Sequence, residues 1–318
     1  YFGRFFSGGG FPLPIATLLF SVATFFPVSF FLSFISPITI KLVLHNLAET
    51  GTIVGRIYAV SAFGSILGTF AAGFFFIAYI GTLRIVWIIA IFLFLFGVTL
   101  WGGALWRKKR NVFFLLMLLT TTFFIKAKCT EETQYYCIRI TTATNEGKVG
   151  FTVLLDHLVH SFVFPDDPAY LRYDYEKVSS WLIANASARA SRPLRILFLG
   201  GGGYTLPRYV SSFYSEHAVT VVEIDPRVTE ANYQHLGLSR TTSIVTVNED
   251  ARRYLERTND RYDIIFGDAF NDFAVPFHLT TQEFHTIVND HLAPGGLYAA
   301  NVIDDTRGGR FLASMLAT

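Results

Sequence analysis

Three acids stand where work on a nucleoside-like ligand would need them. Glu223, Asp250 and Asp268 each follow closely on a short apolar run, at 219–222, 244–247 and 262–266. A fourth such run, Ile196-Leu197-Phe198-Leu199, leads straight into Gly200, Gly201, Gly202 and Gly203. Consecutive glycines let a chain turn tightly and let a ligand approach without Cβ interference. A helix opening after such a turn aims its N-terminal N–H groups at that ligand. An acid at the tip of the next strand commonly accepts hydrogen bonds from ribose hydroxyls. The dinucleotide spacing G-x-G-x-x-G fails, because its third position falls on Thr205 or Leu206, and no Gly-Lys-Ser/Thr follows to make a phosphate loop. This leaves an adenosyl ligand without phosphates, of the S-adenosylmethionine type, whose positive sulfonium suits a ring of acids.

The elements that must position these groups alternate regularly. Apolar strands at 196–199, 219–222, 244–247, 262–266 and 297–303 are separated by helical patterns, including 251–257 and 280–292, the latter stopped by Pro294-Gly295-Gly296. Such βα alternation predicts a doubly wound parallel sheet, with its ligand beyond the strand C-termini. Upstream, residues 135–141 and 149–155 read as a hairpin around Asn145-Glu146-Gly147-Lys148, with a further strand over 156–163. Pro165-Asp166-Asp167-Pro168 breaks the chain, and 170–186 has helical spacing.

The chain of 318 residues is 52% hydrophobic, only 16% charged and carries a net charge of +2, which gives no global argument for nucleic acid. Its mean hydropathy of +0.41 is high for a water-soluble fold. The apolar excess lies in the first 125 or so residues. Residues 11–40, 53–80 and 85–106 each reach the roughly 20 residues a membrane helix needs, and 112–125 is a shorter fourth candidate. Pro27 is expected to kink the first, and Gly64, Gly68 and Ala72 place small residues where helices approach closely. Trp101 and Trp106 read as interfacial anchors. The domains expected are a helical membrane region over 1–128, a small β-domain over 129–168, and a Rossmann-like domain over 169–318 that ends before a terminal antiparallel hairpin. The basic run Arg107-Lys108-Lys109-Arg110 belongs in the cytoplasm, which puts the globular part on the other side if the fourth segment spans. A nucleoside ligand made inside the cell argues the opposite, and the expectation here is an integral protein of the bacterial inner membrane with its globular part in the cytoplasm.

With these pieces in order, the chain resembles the spermidine synthase family in its membrane-fused bacterial branch. The matching segments are SPITIKL at 36–42, GRIYAVSAFGSILGT at 55–69, ETQYYCIRI at 132–140, LLDHLVH at 154–160, FLGGGGY at 198–204, VVEIDP at 221–226, EDAR at 249–252 and YDIIFGDAFND at 262–272. The resemblance implies a small β-domain ahead of a methyltransferase-like sheet. It also implies transfer of an aminopropyl group from decarboxylated S-adenosylmethionine to a diamine such as putrescine; methyl transfer from S-adenosylmethionine, and a transporter or polyamine sensor, are the alternatives. It implies roles too: Glu223 on the ribose, Asp250 with Ala251 on adenine, Asp268 as general base, and Gly200 to Gly203 with Tyr204 around the co-substrate. Tyr135, His160, Tyr173, Tyr175 and Asp272 are the implied amine-binding residues. The partners expected are the amine, the lipid bilayer and a second copy of the chain as a homodimer. The sequence departs from the family where GGGDG would place an acid at Gly203, where Tyr-Gln reads Tyr135-Tyr136, and where the second acid of the Asp268 loop falls on Asn271 or Asp272.

Each of these residues also has a plainer use. Asp250 fits as a helix cap for 251–257. His157, His160 and His278 fit as packing residues, and no third ligand at suitable spacing makes them a metal site. Cys129 and Cys137 are expected as free thiols, a disulfide being conceivable only if the domain is exported.

Overall fold

The computed structural model describes residues 13–106, 129–145, 147–270, 275–304 and 308–316. It divides into two compact units, Tyr1–Ile77 and Ala78–Thr318.

The first unit holds helices α1 (Leu13–Ser33), α2 (Ile35–Val43) and α3 (Thr50–Ala71), which runs on through a π-helical turn at Ala72–Phe76. Two stretches, Pro14–Val43 and Leu47–Phe76, are each 30 residues and long and apolar enough to cross a membrane; nothing in either apolar window is buried. Pro27 lies inside α1 without ending it. Among the described residues nothing approaches Gly64 or Gly68, since a Cβ built on either meets no atom within 4 Å.

The second unit opens with α4 (Thr82–Trp106). The fourth apolar segment and the basic run before it fall outside the described residues. A four-stranded antiparallel sheet follows, in the order β1 (Glu131–Glu132), β2 (Cys137–Asn145), β3 (Lys148–Leu155) and β4 (Leu158–Val163). The expected hairpin closes at the Asn145–Lys148 pair, with Gly147 supplying φ of 76°. Strand β2 starts at Cys137 rather than 135, because Thr133 Oγ1 takes the N–H groups of Tyr135 and Tyr136 at 3.0 and 2.9 Å and holds them in a turn. The inward residues Ile138, Val153 and Leu155 pack on Val228 and Leu236 of the following domain.

The cysteines are not free thiols. Cys129 and Cys137 form a disulfide with their Cα atoms 5.2 Å apart. The pairing of β1 with β2 brings them together, an event that spacing in the sequence does not report.

Helix α5 (Asp174–Arg189) then leads into a five-stranded parallel sheet. Its strands and helices follow in order: β5 (Arg195–Leu199), α6 (Thr205–Phe213), β6 (Ala218–Val222), α7 (Pro226–His235), β7 (Val245–Val247), α8 (Ala251–Arg257), β8 (Tyr262–Gly267), α9 (Gln282–Asp290) and β9 (Leu292–Ala300), with α10 (Phe311–Leu316) beyond. In space the strands run β7-β6-β5-β8-β9, so β5 is central and the order reverses beside it. Ile196 and Phe198 enter the core on one face, while Leu197 and Leu199 enter the core on the other. A strand buried on both faces has to be apolar throughout, as this one is. The Pro294-Gly295-Gly296 stop lies within β9 as an irregularity, where pairing steps from Tyr262–Leu292 to Ile264–Leu297. The architecture is a Rossmann-like α/β fold with a parallel sheet, preceded by helices.

Candidate functional site

The switch from β5 to α6 builds the first wall of a cavity of about 350 Å³. Gly200 has φ of 106°, and a Cβ there would lie 2.3 Å from the carbonyl oxygen of Asp268. Only glycine fits where two strand tips come this close. Gly202 also takes a positive φ, 49°, and its carbonyl accepts from Asn232 Nδ2 at 2.7 Å. Gly203 is different: its N–H donates to Ser161 Oγ at 2.8 Å, and a Cβ would strike Ser161 Cβ at 2.5 Å. Strand β4 therefore excludes any side chain at 203.

Tyr204 is not on the cavity lining. It begins α6 in the left-handed region, is fully buried, and its hydroxyl meets Thr229 and Thr246 at 3.1 and 3.3 Å. Its ring lies under Gly201, where an added Cβ would come 2.6 Å from Cε2. Tyr204 thus supports the glycine turn from below, and burial pushes its hydroxyl pKa up to about 12.

Glu223 sits at the tip of β6 and is buried. Its carboxylate accepts from the N–H groups of Gly201 at 2.8 Å and Asp225 at 2.9 Å. Burial raises its pKa, and those backbone donors pull the other way. Asp225 turns aside to cap α7 through Arg227 N–H and to accept from Thr133 Oγ1 at 2.6 Å. Asp250 both lines the cavity and caps α8, accepting from Arg253 N–H at 3.0 Å and facing His278 Nε2 at 2.8 Å. Capping leaves lone pairs on the carboxylate for a ligand. Ala251 lies beside it on the lining.

Asp268 follows β8 and closes the cavity where the two halves meet. Asn301 Nδ2 donates to its Oδ1 at 2.9 Å, and Tyr175 hydrogen-bonds it from α5. Burial raises its pKa to about 7, Glu176 adds to the rise, and the bonds from Asn301 and Tyr175 oppose it. A carboxylate poised near neutrality can hold a proton or give it up at working pH. The Tyr175 hydroxyl is pushed up, first by burial and then by Asp268.

The second wall comes from the antiparallel sheet and its approaches. Tyr135, Tyr136, Leu158, Val159 and His160 line it, facing Phe270 and Ile303. The Tyr136 hydroxyl donates to the Phe270 carbonyl at 3.0 Å, joining this wall to the loop after β8. Tyr173 is not on the lining. Its N–H donates to Glu176 Oε2 at 2.9 Å at the start of α5. Asp272 lies outside the described residues.

Three residues went unread in the sequence. Glu176 is fully buried and accepts from Thr205 Oγ1 at 2.6 Å, locking α5 to the start of α6. Ser161 fills the space at Gly203, and Asn301 holds Asp268. Glu176 reads locally as a first-turn acid suited to the helix dipole, and nothing local marks its burial or the other two.

Against known proteins, residues 177–303 match the spermine/spermidine synthase domain. The chain is 34% identical over 125 residues to the probable polyamine aminopropyl transferase of Bifidobacterium longum, covering 39% of this chain and 28% of that protein. It is 35% identical over 121 residues to the polyamine aminopropyltransferase of Vibrio vulnificus, covering 36% and 40%. These matches span less than half the length of either relative. Among solved structures, a probable spermidine synthase from Corynebacterium glutamicum superposes with a TM-score of 0.52 at 28% identity, over 57% of this chain and 66% of that one.

Proposed function

We propose, from the match of residues 177–303 to the spermine/spermidine synthase domain, a membrane-anchored aminopropyltransferase. Its substrates are decarboxylated S-adenosylmethionine and an amine acceptor such as putrescine. The observation that carries this reading is Asp268, held by Asn301 and Tyr175 between the glycine–Glu223–Asp250 wall and the aromatic wall. Glu223 receives the ribose hydroxyls, and Asp250 with Ala251 receives the adenine edge. Gly200 to Gly202 admit the sulfonium close to the backbone. Tyr135, Tyr136 and Tyr175 offer π faces and hydroxyl oxygens to a cationic amine.

Asp268 receives the acceptor ammonium, then takes its proton. The freed nitrogen lone pair attacks the aminopropyl carbon bonded to sulfur. That C–S bond breaks, its electron pair goes to sulfur, and neutral methylthioadenosine leaves. Helices Pro14–Val43 and Leu47–Phe76 supply the anchor through length and composition.

The test is methylthioadenosine release by the full chain in lipid discs, given the decarboxylated donor and a panel of diamines. Turnover is expected, with loss in Asp268→Asn. No turnover with any diamine, in protein that binds the donor, would overturn the reading. The exclusion of a side chain at Gly203 favours one alternative, methyl transfer from S-adenosylmethionine, because no acid can grip the donor's amino end from that position. Calorimetry decides between them: tighter binding of the carboxylated form would support methyl transfer.

A further inference from the structure

We propose that the globular part, with its ligand cavity, lies on the oxidising, non-cytoplasmic side of the membrane. This rests on the membrane-anchored reading but not on the reaction assigned to the site.

The first support is where α4 begins. Thr82 N–H, in its first turn, donates to Glu132 Oε1 at 2.7 Å, and a Cβ at Gly81 would lie 2.8 Å from Glu132 Oε2. Glu132 belongs to β1 of the antiparallel sheet. A carboxylate at a helix N-terminus satisfies an otherwise open N–H and meets the positive end of the helix dipole. The start of α4 is therefore held against the globular part. Its 25 residues carry the chain about 37 Å away at 1.5 Å per residue, further than the roughly 30 Å hydrocarbon core. Thr82 and Glu132 meet, so the two ends of the stretch between them lie together at the sheet.

The second support is the charge of the sequence that follows α4. Arg107-Lys108-Lys109-Arg110 follows directly on Trp106, four cations in four residues. The sequence that flanks the opposite ends of these apolar segments carries Arg84, Lys126 and Lys128, spread over two stretches. A concentrated basic loop stays in the cytoplasm, while a large domain crosses largely regardless of its own charge. The globular part then falls outside.

The third support is chemically independent. The Cys129–Cys137 disulfide is a bond that persists in oxidising compartments and is rare in the cytosol. It closes the loop that supplies the aromatic wall, with Thr133, Tyr135 and Tyr136 all inside it. Thr133 ties that loop to Asp225, and Tyr136 ties it to Phe270. The bond thus braces one side of the cavity. The consequence for a reaction sequence is specific. An adenosyl sulfonium is made by an ATP-consuming enzyme in the cytoplasm, so a step that carries this cation across the membrane must precede its use here.

The experiment uses the full chain in bacterial spheroplasts. One variant carries Lys177→Cys on the exposed face of α5, and another carries Asn111→Cys beside the basic run. A membrane-impermeant maleimide is expected to label K177C in intact spheroplasts and N111C only after permeabilisation. The reverse pattern, or labelling of neither site before permeabilisation, would overturn the proposal. In parallel, the unaltered chain is alkylated during acid lysis and digested without reductant. A linked Cys129–Cys137 peptide is expected, and two alkylated thiols would count against the proposal. Recovery of the chain from the soluble fraction would overturn the anchored reading itself, which separates that failure from a wrong side.

Discussion

The two walls of the cavity are built in different ways. The donor wall comes from strand tips and the backbone that follows them: Gly200 to Gly202 after β5, Glu223 after β6, Asp250 before α8. Its geometry is imposed by the sheet, and its acids are held by backbone N–H groups. The acceptor wall is assembled from side chains that start far apart, on the Cys129–Cys137 loop, β4, α5 and the end of β9. Their contacts are long-range, Tyr136 to Phe270 and Asn301 to Asp268. A backbone-built wall tolerates little change and serves one ligand class. A side-chain-built wall can be altered residue by residue, so on the proposed reading acceptor choice can drift while donor binding stays.

The largest effect should come where the walls meet. Asp268→Asn keeps the shape and removes the proton acceptor, and turnover is expected to fall by about 10²–10⁴-fold with donor binding kept. Equal losses of turnover and donor affinity would place Asp268 on the donor wall and break the distinction.

Next comes the donor wall's own weak point. Gly200→Ala puts a methyl 2.3 Å from the Asp268 carbonyl at a φ that disfavours side chains. A cost of about 1–3 kcal/mol from strain alone is expected in chemical denaturation, together with loss of donor binding by calorimetry. A variant that binds normally would show that the wall is more pliant than its packing implies.

A third test reads pH. A base with its pKa near 7 gives turnover that rises with pH through about 7 and then levels. Asn301 lowers that pKa by hydrogen bonding, so Asn301→Ala should move the acid limb of the profile upward. Linkage gives a matching sign in stability. The pKa is raised on folding from 3.8 to about 7, so this group's stabilising contribution is complete below 3.8 and is lost as pH rises through about 7. Asp268→Asn should remove that part of the pH dependence of unfolding.

The smallest effect is expected on the acceptor wall. Tyr136→Phe deletes one hydrogen bond, to the Phe270 carbonyl, at about 1 kcal/mol. Acceptor KM should rise while donor affinity holds within twofold. A larger change in donor affinity would mean that the walls are coupled through this bond.

How much of this was legible beforehand follows from what each feature depends on. The apolar runs, the four glycines and the acids after them are local in sequence, and a parallel sheet must bring its strand tips to one edge. So Glu223, Asp250 and Asp268 could be placed together from spacing alone, and the antiparallel hairpin could be found from alternation and its turn residues. Tyr204 shows where local reading stops. It stands beside the glycines in sequence, yet from a left-handed backbone its ring lies buried beneath the loop and off the cavity lining. Tyr173 and Tyr175 are two residues apart; one starts α5 and the other reaches Asp268, a difference set by where the helix begins.

By itself the amino-acid sequence determined the order of elements, the apolar N-terminal helices and the acid-rich edge of the sheet, because periodicity and composition act over neighbouring residues. Only the tertiary structure decided that Ser161 forbids a side chain at Gly203, that Asn301 and Glu176 stand around Asp268, and that Cys129 meets Cys137. The physical reason is the same in each case. These contacts depend on how strands pair and how sheets pack, and strand pairing joins residues whose separation in the chain carries no mark of it.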